Sequence, residues 1–143
     1  MASDVVYNAV KDYLTANWTT SPLAFENEEF VPPVDSEGRP TPFVAVEVTG
    51  NVYGQQSIGA STQATNRWDE EGQLWLHVFV RTSTGSSTAR NYAKTLADLF
   101  RGTTLLSGDM EFMDASIGLG EKGDDEGNYY RISVSVDWRR IEA

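Results

Sequence analysis

The sequence predicts an α+β domain in which about two helices pack on a mainly antiparallel sheet of about five strands, in the order α-β-β-β-α-β-β. Three observations predict it. Apolar residues recur at helical spacing near the N-terminus and again over residues 89–100. They alternate with other residues along residues 43–49, 73–82 and 129–139. The links between neighbouring strand segments are short, which favours antiparallel hairpins, whereas a doubly wound sheet needs more helices between its strands. At 143 residues the chain fits a single domain, residues 1–143, with a core that needs no staples.

The first helix is expected over Asp4–Asn17. Ser3 stands at its N-cap with Asp4 in its first turn, and Val6, Ala9, Val10, Tyr13, Leu14 and Trp18 form one face. Ser21 and Pro22 stop it. Four of the five prolines then lie within residues 32–42, so the segment after the helix is extended or looped. Val44, Val46 and Val48 alternate with Ala45 and Glu47 in the first strand. Residues 57–67 are small and polar, including Gly59, Ser61, Thr62, Gln63 and Thr65, and read as an exposed strand or a long arm. Residues 68–72 read as a turn.

In residues 73–82, Leu74, Leu76, Val78 and Val80 share one face and Trp75, His77, Phe79 and Arg81 the other, which predicts a central strand covered on both sides. Ala89, Tyr92, Ala93, Leu96, Ala97 and Phe100 make the second helix, capped by Ser86, Ser87 or Thr88 and ended by Gly102. Residues 110–119 form a strand whose apolar phase shifts from Met110 and Phe112 to Met113, Ala115 and Ile117, the mark of a bulge. GEKGDDEG turns the chain back. In residues 129–139, Tyr130, Ile132, Val134, Val136 and Trp138 share a face.

Composition limits the chemistry. There is no cysteine, so disulfides, thiolate metal sites and thiol catalysis are excluded, which suits an intracellular or disulfide-independent protein. MASDVVYNAVKDYLTANW lacks the features of a signal peptide, and no apolar run is long enough to span a membrane. With 21 acidic against 11 basic residues the formal charge is −10, which repels a phosphate backbone. The acids cluster at Glu26, Glu28 and Glu29, at Asp69, Glu70 and Glu71, and at Asp124, Asp125 and Glu126, each between periodic segments, where they read as loop rims.

The stretch VFVRTSTGSSTARNYAKTLADLF has the strand, loop and helix layout of a phosphate cradle. A Walker loop needs a second glycine followed by lysine, and here Gly85 stands alone with no lysine before Lys94. His77 is the sole histidine and reads as a partly packed structural residue, since neither a triad nor a histidine metal site can be assembled around it by the usual spacing. GEKGDDEG lacks the alternation of a calcium loop. No catalytic, cofactor-binding or metal residue is assigned, and no cofactor is expected. The polar arm over residues 50–67, with Tyr53, Gln55, Gln56, Ile58 and Arg67, is long for a connection. It is read either as a mobile hairpin or as a segment ordered by a neighbouring subunit.

Several segments together resemble the tail terminator, or tail-completion, proteins of long-tailed bacteriophages and phage-like gene transfer agents. They are the N-terminal helix, PLAFENEEFVPP, the strand PFVAVEV, the glycine of SIGAS, the block RWDEEGQLWLHVFVRTSTGSSTARNYAKTLADLFRG and the closing strand YYRISVSVDWRR. The resemblance implies a structural virion protein and not an enzyme: a homo-oligomer, a hexameric ring, that caps the tail tube and ends its polymerisation. It implies tail tube protein and head-closure connector as partners, a place in the neck of the virion after assembly in the host cytoplasm, and DNA passing through the lumen without specific binding. It puts Glu26, Asn27 and Phe30 in a structured loop near the ring body, and Gly59 and Arg67 in the arm. The alternative is a small non-enzymatic α+β domain that binds a ligand or protein; an enzyme relying on carboxylates comes third.

Overall fold

The computed structural model describes residues 3–55, 57, 59, 62, 64, 67–122 and 127–142, without the side chains of Lys122 and Glu142. Helix α1 (Asp4–Asn17) is followed by strands β1 (Leu23–Ala24), β2 (Phe43–Gln55) and β3 (Trp68–Arg81) and by helix α2 (Ser87–Phe100). Then come β4 (Thr104–Leu105), a short 3₁₀ turn (Leu106–Gly108), β5 (Met110–Ile117), β6 (Glu121–Lys122) and β7 (Tyr129–Glu142). The expected α+β class and order hold. Six strands run β1-β2-β3-β7-β5-β4, with β6 added on β7, and only β1 on β2 is parallel. The count exceeds five because β1, β4 and β6 are two residues each, too short to carry a period in sequence.

Both helices lie on one sheet face. Val6, Val10, Leu14 and Trp18 of the first and Ala89, Ala93, Leu96, Ala97 and Phe100 of the second share one core with Val44, Val46, Leu74, Leu76, Val78, Val80, Ile132, Val134, Val136 and Trp138. Each large apolar side chain removed from water there contributes roughly 1.5–3 kcal/mol. The helices also touch side by side: Tyr13 meets Phe100 edge-on with ring centres 5.2 Å apart, its hydroxyl donates to the Leu99 carbonyl at 2.8 Å, and Trp18 meets Tyr92 at 5.4 Å. The second helix ends as its sequence predicts. Gly102 takes φ 71° and its N–H donates to the Phe112 carbonyl at 3.0 Å, tying the helix end to β5. The expected bulge in β5 lies between Phe112 and Ala115, which pair with Trp138 and Val136.

Residues 68–72 are not a turn. They are the start of β3, which pairs with β7 from Trp68↔Glu142 to Arg81↔Tyr129 without a break. Nor are Asp69 and Glu70 rim residues, for each is only 1% exposed. A carboxylate tolerates such burial when it is paired and hydrogen-bonded. Arg67 donates to both oxygens of Asp69, at 3.0 and 2.9 Å. Glu70 accepts from Arg140 Nη1 at 2.7 Å, from the Ser3 backbone N–H at 2.8 Å and from Ser3 Oγ at 2.9 Å. Ser3 is therefore the N-cap residue of α1 by position, but its side chain does not cap the helix. It is spent on Glu70, which fixes where α1 begins against the sheet.

The β2–β3 pairing shifts register between Gly50 and Val52. At this bulge Gly72 faces Gly50, and a Cβ built on Gly72 would sit 2.8 Å from both Gly50 Cα and Trp138 Cζ2 and closer still to the Thr49 carbonyl. The indole of Trp138, fully buried, lies across a glycine because no side chain fits beneath it.

Two substitutions test this end of the sheet in urea unfolding. Gly72→Ala should cost at least about 2 kcal/mol through overpacking, and an unchanged midpoint would show that the sheet relaxes freely there. Glu70→Ala should cost about 3 kcal/mol, because it strips Arg140 of its buried counter-ion, and Glu70→Gln should cost less, since the amide oxygen still accepts a bond.

Candidate interaction surface

The sheet face opposite the helices is only partly covered. Its rows run Phe43, Phe79, Arg131 and Glu121; then Ala45, His77 and Ser133; then Glu47, Trp75, Ser135 and Ser116. The expectation that both faces of residues 73–82 are covered is met on the helix side alone: Trp75, His77 and Phe79 remain half-buried. At one end Phe30, Phe43, Phe79 and Tyr129 form a ring cluster, with Phe43 stacked on Phe79 at 4.7 Å and Phe30 tilted against Phe43 at 5.0 Å. In the middle a groove of about 440 Å³ has Trp75, His77, Ser133 and Ser135 as its floor and Leu119 and Glu121 on its wall. Leu119 is 89% exposed.

His77 stacks on Trp75 at 6.1 Å, and its Nδ1 lies 2.7 Å from Ser133 Oγ. Burial and then the nearby Arg131 guanidinium hold the imidazole below its ordinary pKa. Ser133, His77 and Glu47 are the residue types of an acyl-transfer set, but Glu47 Oε2 stands 4.0 Å from Nε2, beyond hydrogen-bond reach. That carboxylate is 54% exposed and cannot hold the ring against solvent. Among the described residues no group of three His, Asp or Glu side chains could hold a metal ion. Gly85 and Ser86 form the strand-to-helix connection, where Ser86 is the N-cap residue by position but its side chain does not make the expected capping bond to the helix amides; its Oγ instead accepts from Arg90 Nε at 3.1 Å.

The residues singled out in the sequence fall in two places along the β1–β2 side. Glu26 Oε1 accepts from the Val48 N–H at 2.5 Å, so this carboxylate blunts the edge of β2 where β1 ends. Asn27 turns the chain at φ 53°, and Glu28 pairs with Lys11 at 2.9 Å. Phe30 belongs to the ring cluster. At the far end of the β2–β3 hairpin, Tyr53 is 42% exposed and meets Trp68 edge-on at 6.0 Å, and the Gln55 amide donates to the Ser57 carbonyl. Arg67 is held charged by its hydrogen bonds to Asp69, which raise its pKa. Residues 50–55 of the expected arm over residues 50–67 are instead the end of β2, and Gln56, Ile58 and most of residues 57–67 lie outside the described residues, as do Asp124, Asp125 and Glu126. The two groups are not one cluster: Glu26 sits beside Val48, and Tyr53 follows five residues along the same strand.

Sequence reasoning did not single out the exposed apolar side chains Val31 and Val34, 77% and 59% exposed. Val31 precedes, and Val34 belongs to, a small hairpin in which Val34 bridges Pro40 and Asp35 accepts from the N–H groups of Glu37 and Arg39. Their signal was present, two valines on either side of Pro32 and Pro33, where no strand period could bury them.

No helix among the described residues is long and apolar enough to cross a membrane. No curated protein matches the chain. One solved structure superposes on 100% of this chain and 97% of its own length, with a TM-score of 0.65 at 19% identity, which establishes a shared fold. The family model described as "Phage tail terminator protein" matches residues 5–138, nearly every element from α1 to β7. The chain belongs to the phage tail terminator family.

Proposed function

We propose that this chain is a subunit of a hexameric ring that caps the tail tube, ends tube polymerisation and joins the tail to the head-closure connector. The family match over residues 5–138 is the observation that carries this proposal. The sheet adds support: one face is sealed by helices and the other keeps Trp75, His77 and Phe79 half-exposed, an apolar surface of the kind that protein contacts use. The partners are other copies of the chain, the tail tube protein and the connector, and the ring sits in the neck of a virion or gene transfer agent particle assembled in the host cytoplasm. The role is structural and needs no catalysis. A formal charge of −10 suits a lumen through which DNA passes without being gripped.

Tyr53, Gln55, Gln56, Ile58 and Arg67, with Glu26, Asn27 and Phe30, are proposed to contact neighbouring subunits or the tube. Particles made without this chain should show tails of uncontrolled length that fail to join heads, and supplying the chain should restore both properties. Electron micrographs showing tails of normal length joined to heads in its absence would refute the role.

A further inference from the structure

The two flanks of the helix layer carry opposite charge. In α2, Tyr92 packs on Trp18 at the end of α1, and the Leu99 carbonyl accepts from Tyr13 of α1. At roughly 100° per residue, Arg90, Lys94 and Arg101 fall together on the side turned directly away from Tyr92 and Leu99. Arg101 lines a hollow with Met113, Asp114 and Ser116 on the outer edge of β5, so this stripe looks outward over that edge. Lys94 and Arg101 are 63% and 61% exposed and share Asp98 between them, at 2.6 and 2.9 Å. Arg90 has no carboxylate partner among the described residues. Asp114 lines the same hollow as Arg101.

On α1, the side turned away from α2 carries Asp4, Tyr7 and Lys11, and the loop after β1 packs against it. Lys11 meets Glu28 at 2.9 Å and lies over the Phe25 ring at 5.2 Å. Asp4, Glu26, Glu28 and Glu29 make this flank acidic, with Lys11 the only base among them; Glu29 has no ion pair among the described residues. A molecule of formal charge −10 repels its copies unless contact brings scarce bases against acids. The acidic flank lies at the β1–β2 end of the sheet and the basic flank at the β5 end. Such unlike surfaces on opposite sides form a head-to-tail contact, the type that closes into rings.

We infer that, within the proposed ring, a second copy of this chain docks its acidic Asp4 and Glu26–Glu29 flank against the basic Arg90, Lys94 and Arg101 stripe of its neighbour. This rests on the ring proposal, and the test separates the two. Sedimentation velocity on the full chain, alone and with tail tubes, over about a hundredfold range of concentration reads the association. Arg90→Glu with Lys94→Glu should weaken it about tenfold or more, as should Glu28→Lys with Glu29→Lys, while the chain carrying all four changes should return to within about threefold of the wild type. Raising salt should weaken the wild-type contact. Thermal melts establish that each variant is folded, and Glu28→Gln with Glu29→Gln gives the same direction with a smaller effect. If either reversed pair associates like the wild type, or the combined chain stays as weak as each pair alone, the inference fails and the ring stands. A wild-type chain that remains monomeric in both settings overturns both.

Discussion

The antiparallel pairing of β3 with β7 is the constraint on which the other elements depend. Each strand is fourteen residues long and they pair over that whole length. Strand β2 adds to one side and β5 to the other, and the alternating residues of the central pair supply the floor on which both helices rest. So long a register must be fixed at its ends, because a slip by one residue turns the apolar face outward. Glu70 and Gly72 fix one end. The carboxylate joins Arg140 of β7 to Ser3 ahead of α1, and the glycine leaves room for Trp138 under the β2 bulge. Helix, central strands and sheet edge are thereby set relative to one another within four residues of β3.

These residues are also where sequence reasoning failed. WDEEG reads as a turn because three adjacent acids and a glycine resemble a solvated rim. What makes it a strand is pairing with Arg67, Arg140 and Ser3, the last two some seventy residues away in sequence, and no local period reports that. Elsewhere local pattern and final structure agree. The first helix has the predicted bounds, the second helix stops ahead of Gly102, and the phase shift in residues 110–117 is a bulge. The three shortest strands left no trace, because two residues cannot alternate. Among the site residues, Phe30 and Glu26 were singled out by resemblance. Their packing roles, a ring cluster and a cap on the β2 edge, became legible only when Phe43 and Val48 were placed beside them.

The physical features that matter for assembly are those the fold does not use up. Two helices seal one face of the sheet. The other keeps an aromatic row and a groove walled by Leu119, and side chains there pair with one another, His77 with Ser133 and Arg131 with Glu121, in a geometry short of a catalytic set. Charge is divided as unevenly as apolar surface, with acids on the loop beside α1 and bases along the far side of α2. A subunit with two unlike flanks and a half-covered sheet is suited to contacts with copies of itself and with a tube end, which is the task proposed for this member of the tail terminator family.

Imaging of preassembled tail tubes after addition of this chain tests that task most directly. The proposed function predicts a single ring of subunits at one end of each tube and none elsewhere. Subunits distributed along the tube wall, or tubes with both ends bare, would contradict it.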